Sequence, residues 1–77
     1  MRSVKLHGHE MITEVYGCMS FIAYEVEQAS RWRVQVTFFD DKGEIGQRHD
    51  LITGHREQVM QWLYQAVDAV NQWRIAA

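Results

Sequence analysis

Apolar and polar positions alternate most cleanly between Arg31 and Phe39. Trp32, Val34, Val36 and Phe38 fall on one side, with Arg31, Arg33, Gln35 and Thr37 on the other. A period of two sustained over the eight residues from Arg31 to Phe38 marks a half-buried strand. The preceding stretch, Phe21-Ile22-Ala23-Tyr24-Glu25-Val26-Glu27, reads as its antiparallel partner, folded back through Gln28-Ala29-Ser30. A pivot at Ala29 sets Glu27 against Arg31 and Glu25 against Arg33 on an outer face. It sets Val26 against Trp32, Tyr24 against Val34 and Ile22 against Val36 on an inner one. Slipping one strand by a residue would exchange its faces, so agreement between the charged and the apolar pairs supports this register. The competing element is a helix. Ile12, Val15, Tyr16, Met19, Ile22, Ala23 and Val26 also fit helical spacing, with Gly17 in their midst, so residues 10–20 stay open between strand and helix.

The remaining pattern adds a strand at each end and one long helix. Val4 and Leu6 alternate with Ser3, Lys5 and His7, which predicts a short or edge strand over 2–7, and His7-Gly8-His9 reads as a loop. Asp40-Asp41-Lys42-Gly43-Glu44 is a turn, because an aspartate carboxylate can bond the local backbone and glycine accepts positive φ. The polar segment 44–51 follows as an edge strand. A glycine bulge would decide which face Gln47 and His49 take. Thr53 is placed to cap a helix over about 55–74, with Val59, Trp62, Leu63, Ala66, Val70 and Trp73 in one stripe. Met60, Tyr64 and Val67 form a second apolar strip beside it. The expected fold is α+β: an antiparallel sheet of three or four strands (2–7, 19–27, 32–39, 44–51), packed by one long C-terminal helix.

Seventy-seven residues make one domain with a thin core. Hydrophobic residues are 47%, there are three tryptophans and no proline, which speaks for a folded chain rather than a linker. The single Cys18 excludes an internal disulfide. No apolar run approaches the ~20 residues that span a bilayer, and the N-terminus lacks the apolar core of a leader peptide. A cytoplasmic location without membrane association is therefore expected. The net charge of −2 and the absence of a basic stripe disfavour direct nucleic-acid binding.

Few residues suggest chemistry. His7 and His9, at i and i+2, could share one ion from a strand, but with His49, His55 and Cys18 they show no Cys-x-x-Cys, His-x-x-x-His or His-Glu-x-x-His spacing. No local signature surrounds Cys18 as a nucleophile. No catalytic, cofactor or metal residues are assigned, and the chain is expected not to be an enzyme. The candidates are for partner binding instead: Tyr24, Glu25, Glu27, Arg31, Arg33 and Gln35 on the sheet, and Met60, Tyr64 and Val67 on the helix. Tyr, Met and Arg concentrate binding energy at interfaces.

From Ile22 to Tyr64 the chain resembles small phage-encoded anti-CRISPR proteins of the type I-F group. The resemblance is carried by Ile22-Ala23 with Tyr24-Glu25, Arg33-Val34-Gln35, Gly43, Gly46-Gln47-Arg48 with Asp50, and Glu57-Gln58 with Trp62-Leu63-Tyr64. It implies a sheet-plus-helix protein that binds a host RNA-guided surveillance complex and blocks target DNA without catalysis. It also implies contact residues, a tyrosine and acidic groups among them, on the exposed sheet face. Tyr24 lies at the matching tyrosine, but the acidic position of the next strand falls at Gln35, and the register above turns Tyr24 inward. The expected function is thus a non-enzymatic protein–protein interaction module, an inhibitor of a host protein or ribonucleoprotein complex. The alternatives are a self-associating structural protein, a homodimer through the helix strip or the segment 44–51, and a small nucleic-acid- or metal-binding domain.

Overall fold

Among the described residues, five antiparallel strands form one sheet in chain order, and a single helix lies across it. The computed structural model describes residues 1–26 and 31–76. The strands are β1 (Arg2–Leu6), β2 (His9–Tyr16), β3 (Met19–Val26), β4 (Arg31–Phe39) and β5 (Ile45–Thr53), followed by α1 (Arg56–Ala76). Each strand pairs with the next, so β1 and β5 are the edges. This is the expected α+β architecture with one strand more. The additional strand is β2, in the stretch whose period was ambiguous. No helix runs through residues 12–26, and no helix among the described residues is long and apolar enough to cross a membrane.

Tight turns explain why β2 forms. Leu6 pairs with His9, leaving His7 and Gly8 as a two-residue loop. Both have positive φ, 53° and 79°, the conformation of a type I′ turn, whose twist matches that of the flanking strands. Tyr16 pairs with Met19 across Gly17 and Cys18. Gly17 alone takes positive φ there, 57°, as in a type II′ turn. Gly17 is therefore a turn and not a helix interruption.

Between β4 and β5 the predicted turn is present. The Asp40 carboxylate accepts the Lys42 and Glu44 amides, both at 2.9 Å, and Gly43 sits at φ 79°. The register then shifts: Phe38 pairs with Gln47 but Phe39 with Ile45, so Gly46 is the extra residue of a bulge. Beyond it Gln47 and His49 lie on the helix side.

The core is the helix-facing set of alternate residues. Ile12, Met19, Phe21, Ala23, Trp32, Val34, Val36 and Phe38 are buried against Val59, Leu63, Ala66 and Val70. Trp73 stacks edge-on against Phe38 at 5.1 Å, and Tyr16 donates to the Asn71 carboxamide oxygen at 2.7 Å. The helix therefore turns Trp62 toward β5, Trp73 toward the end of β4 and Asn71 toward β2. Its first turn accepts at the His55 carbonyl, from the Gln58 and Val59 amides. His55 is thus the cap residue, and Thr53, the last residue of β5, bonds the His55 amide instead.

The β3–β4 register differs from the sequence expectation. Val26 pairs with Arg31, Glu25 with Trp32, Tyr24 with Arg33, Ala23 with Val34 and Ile22 with Gln35. This is one residue away from the pivot at Ala29, and it reverses β3. Met19, Phe21 and Ala23 are buried, while Ile22, Tyr24 and Val26 face away from the helix. Magnitudes explain the outcome. Burying a Phe or Met side chain stabilises by about 1.5–3 kcal/mol each. The exposed Glu–Arg pairs that favoured the other register contribute about 0–1 kcal/mol.

Candidate functional site

Because side chains alternate across a strand, the buried rows define by subtraction an open face that the helix does not cover. One row crosses all five strands there: Val4, Met11, Tyr24, Arg33 and Ile52, each paired with the next. Beside it runs Arg2, Thr13, Ile22, Gln35 and Asp50. None of these side chains is buried, and Ile52 and Val15 retain 66% and 76% of their surface. Five strands at about 4.8 Å spacing make the face roughly 20 Å wide.

Charge is sorted between the faces. Among the described strand residues the open face carries Arg2, Arg31, Arg33 and Arg48 against one aspartate, Asp50, on a chain of net charge −2. The strand glutamates Glu10, Glu14 and Glu25 all point to the helix side. There they are engaged. Arg56, in the first turn of α1, grips Glu10 with two bonds, Nε to Oε1 at 2.9 Å and Nη2 to Oε2 at 3.1 Å. Ser3 donates to the same carboxylate at 2.7 Å, and Glu25 accepts the Glu10 amide at 2.8 Å. The Arg56 hydrogen bond, reinforced by Ser3, holds the Glu10 carboxyl below the usual glutamate range and raises the Arg56 guanidinium. The N-terminal ammonium lies 2.7 Å from Glu14 and lowers that carboxyl as well.

The predicted binding residues therefore divide. Tyr24, Arg31, Arg33 and Gln35 share the open face, as neighbours on two adjacent strands. Tyr24, expected inward, is outward, the side on which the resemblance needs it. Glu25, expected outward, is turned to the helix side beside Glu10, so the acidic contribution that the resemblance implies is missing from this part of the face. Glu27 lies outside the described residues. Met60 and Val67 are half-buried against the core, and Tyr64 is exposed at its flank. This strip is mainly the edge of the core contact rather than a separate surface. Sequence reasoning missed Ile22, Met11, Val4 and Ile52. For Ile22 the signal is that β3 is apolar on both parities; Val4, Met11 and Ile52, on β1, β2 and β5, join the row only through the register of the sheet.

Among the described residues no three His, Cys, Asp or Glu side chains gather as metal ligands would, and Cys18 is a free, half-buried thiol. The described concavity is an open groove of about 220 Å³ between β5 and α1, bordered by His49, Leu51, Trp62, Gln65 and Ala69. Comparison with protein-family models, with curated proteins and with solved structures found no match.

Proposed function

We propose that this chain is a small, non-enzymatic binding module of the cytoplasm that docks its open sheet face on a protein partner. The observation that carries the reading is the row Val4–Met11–Tyr24–Arg33–Ile52, apolar and aromatic at its centre and flanked by Arg2, Arg31 and Arg48. Tyr and Arg beside exposed aliphatic groups are the composition of interface centres. The arginine excess calls for a partner surface with acidic groups around an apolar patch. Single-stranded nucleic acid suits this face less, because it needs several stacking rings and the central rows offer Tyr24 alone. The function is occlusion: a rigid sheet covers a partner surface and blocks what would bind there.

The resemblance proposes a specific partner, the type I-F surveillance complex, with target DNA as the excluded ligand. Tyr24 on the open face supports that partner. The arginine excess argues for a docking surface other than a basic nucleic-acid channel.

The test is affinity capture from the source cells with the wild-type chain and with Tyr24→Ala and Arg33→Glu. Loss of a captured protein from both variants, each still cooperatively folded at the assay temperature, is the expected result. Equal capture by all three chains would refute the assignment. Salt-dependent binding of single-stranded DNA or RNA, lost with the arginines, would replace the protein partner by nucleic acid. Addition of the pure protein to a type I-F surveillance complex, read out as target-DNA binding, tests the specific partner.

A further inference from the structure

The two edges of the sheet are protected differently. β1 has five residues and carries Arg2 and Lys5. β5 has nine, is exposed throughout Ile45–Asp50, and among the described residues has no strand on its outer side. Edge strands are normally kept from pairing by shortness, lysine, proline or a bulge. β5 has its bulge at Gly46, but the register from Gln47 to Thr53 is unbroken and contains neither lysine nor proline. In the helix layer beside this stretch lies the open groove of about 220 Å³, where the small Ala66 and Ala69 leave space between Trp62 and Leu51. An unpaired backbone and an unfilled apolar slot thus sit side by side, the arrangement that an added strand completes.

We propose that the added strand is β5 of a second copy, paired antiparallel about a two-fold axis at His49, so that two sheets become one of ten strands. Charge identifies both occupant and register. A two-fold axis perpendicular to the sheet keeps both helices on one side and pairs only residues of equal parity. With the axis at His49, Arg48 stands opposite Asp50 of the second copy, and the reverse contact repeats it. Gln47 stands opposite Leu51. Moving the axis one residue toward the N-terminus sets Arg48 against Arg48. Moving it one residue the other way sets Asp50 against Asp50. Opposite charges directly across a sheet stabilise and like charges destabilise, so one register is favoured and its nearest rivals are disfavoured. Within the chain neither Arg48 nor Asp50 forms an ion pair among the described residues. In the paired form the two His49 side chains meet at the axis, at the mouths of the two grooves. The two open faces become continuous, which doubles the docking surface.

The test is sedimentation or light scattering of the full chain over a concentration series. The wild type is expected to be dimeric at high micromolar concentration and to dissociate on dilution. Arg48→Asp and Asp50→Arg each place like charges across the axis twice, and each should weaken association at least about tenfold. The double variant Arg48→Asp/Asp50→Arg should restore it. A monomeric wild type, single variants that associate like wild type, or a folded double variant that stays monomeric would overturn the proposal. Amide exchange gives a second reading free of substitutions: alternate amides within Gln47–Leu51 should be protected at high concentration and exposed on dilution. Concentration-independent exchange counts against pairing. Tyr24→Ala lies off this edge and should leave association unchanged, which separates failure here from failure of the partner-docking face.

Discussion

Two faces of one sheet are drawn from alternate residues of the same five strands, yet they treat apolar surface and charge in opposite ways. The covered face buries Phe21, Val34 and Ile12 completely and engages glutamates at its margin, Glu10 with Arg56 and the Ser3 hydroxyl and Glu14 with the N-terminal ammonium. The open face leaves Ile22, Ile52 and Val15 in water and places four arginines around them with one aspartate. Burial against a helix rewards shape and tolerates charge only where a partner is within reach. A face without a helix has no such demand, so its apolar residues and free arginines are available to a partner.

The largest test of this contrast is truncation on each side of β3. Phe21→Ala should cost about 3–5 kcal/mol in urea unfolding, whereas Tyr24→Ala should cost about 1 kcal/mol. Equal costs would mean that the faces are not distinct. Binding should reverse the order. Tyr24→Ala or Arg33→Glu should weaken a captured partner by about 2 kcal/mol, roughly thirtyfold, while Tyr64→Ala changes it less than about twofold. Titration calorimetry would decide, and a dominant Tyr64 would move the site to the helix flank.

A smaller effect concerns the margin of the covered face. Glu10 and Glu14 titrate below the ordinary glutamate range in the folded chain. Their stabilisation is therefore fully present above that range and is lost as pH falls through the lowered folded values. Arg56 is half exposed, so solvent screening limits the pair. Glu10→Gln should cost about 1 kcal/mol near neutral pH and make the loss of stability on acidification shallower. Denaturation midpoints measured from pH 7 to pH 3 would check this, and an unchanged acid limb would show that the clasp contributes nothing. The smallest expected effect belongs to neither face. Gly43→Ala meets no steric obstacle but must hold positive φ, and should cost up to about 1 kcal/mol without altering binding.

How much of this was legible depended on how many faces of an element are apolar. β4 has one apolar parity and was readable outright, as was the stripe Val59, Leu63, Ala66 and Val70 on α1. The Asp40–Gly43 turn was readable because aspartate and glycine act there through local backbone geometry. β3 is apolar on both parities, with Met19, Phe21 and Ala23 on one and Ile22, Tyr24 and Val26 on the other, so local pattern leaves only the weak preference of Glu25 for Arg33 to choose between them, and it points to the wrong register. β2 was obscured because Ile12, Val15, Tyr16 and Met19 satisfy a helical period as well as an extended one, and the turns at His7-Gly8 and Gly17-Cys18 settle the matter only once both hairpins close.

The amino-acid order by itself determined the α+β class, the β4 strand, the helix and its buried stripe, and the turn before β5, because each rests on interactions within a few residues. Only the tertiary structure decided which parity of β3 meets the helix, and with it that Tyr24 faces outward while Glu25 turns toward the Arg56 side. That choice depends on how much apolar area α1 can cover when Phe21 and Met19 lie beneath it. Area covered by a distant element is a property of the assembled chain and leaves no mark on the local alternation.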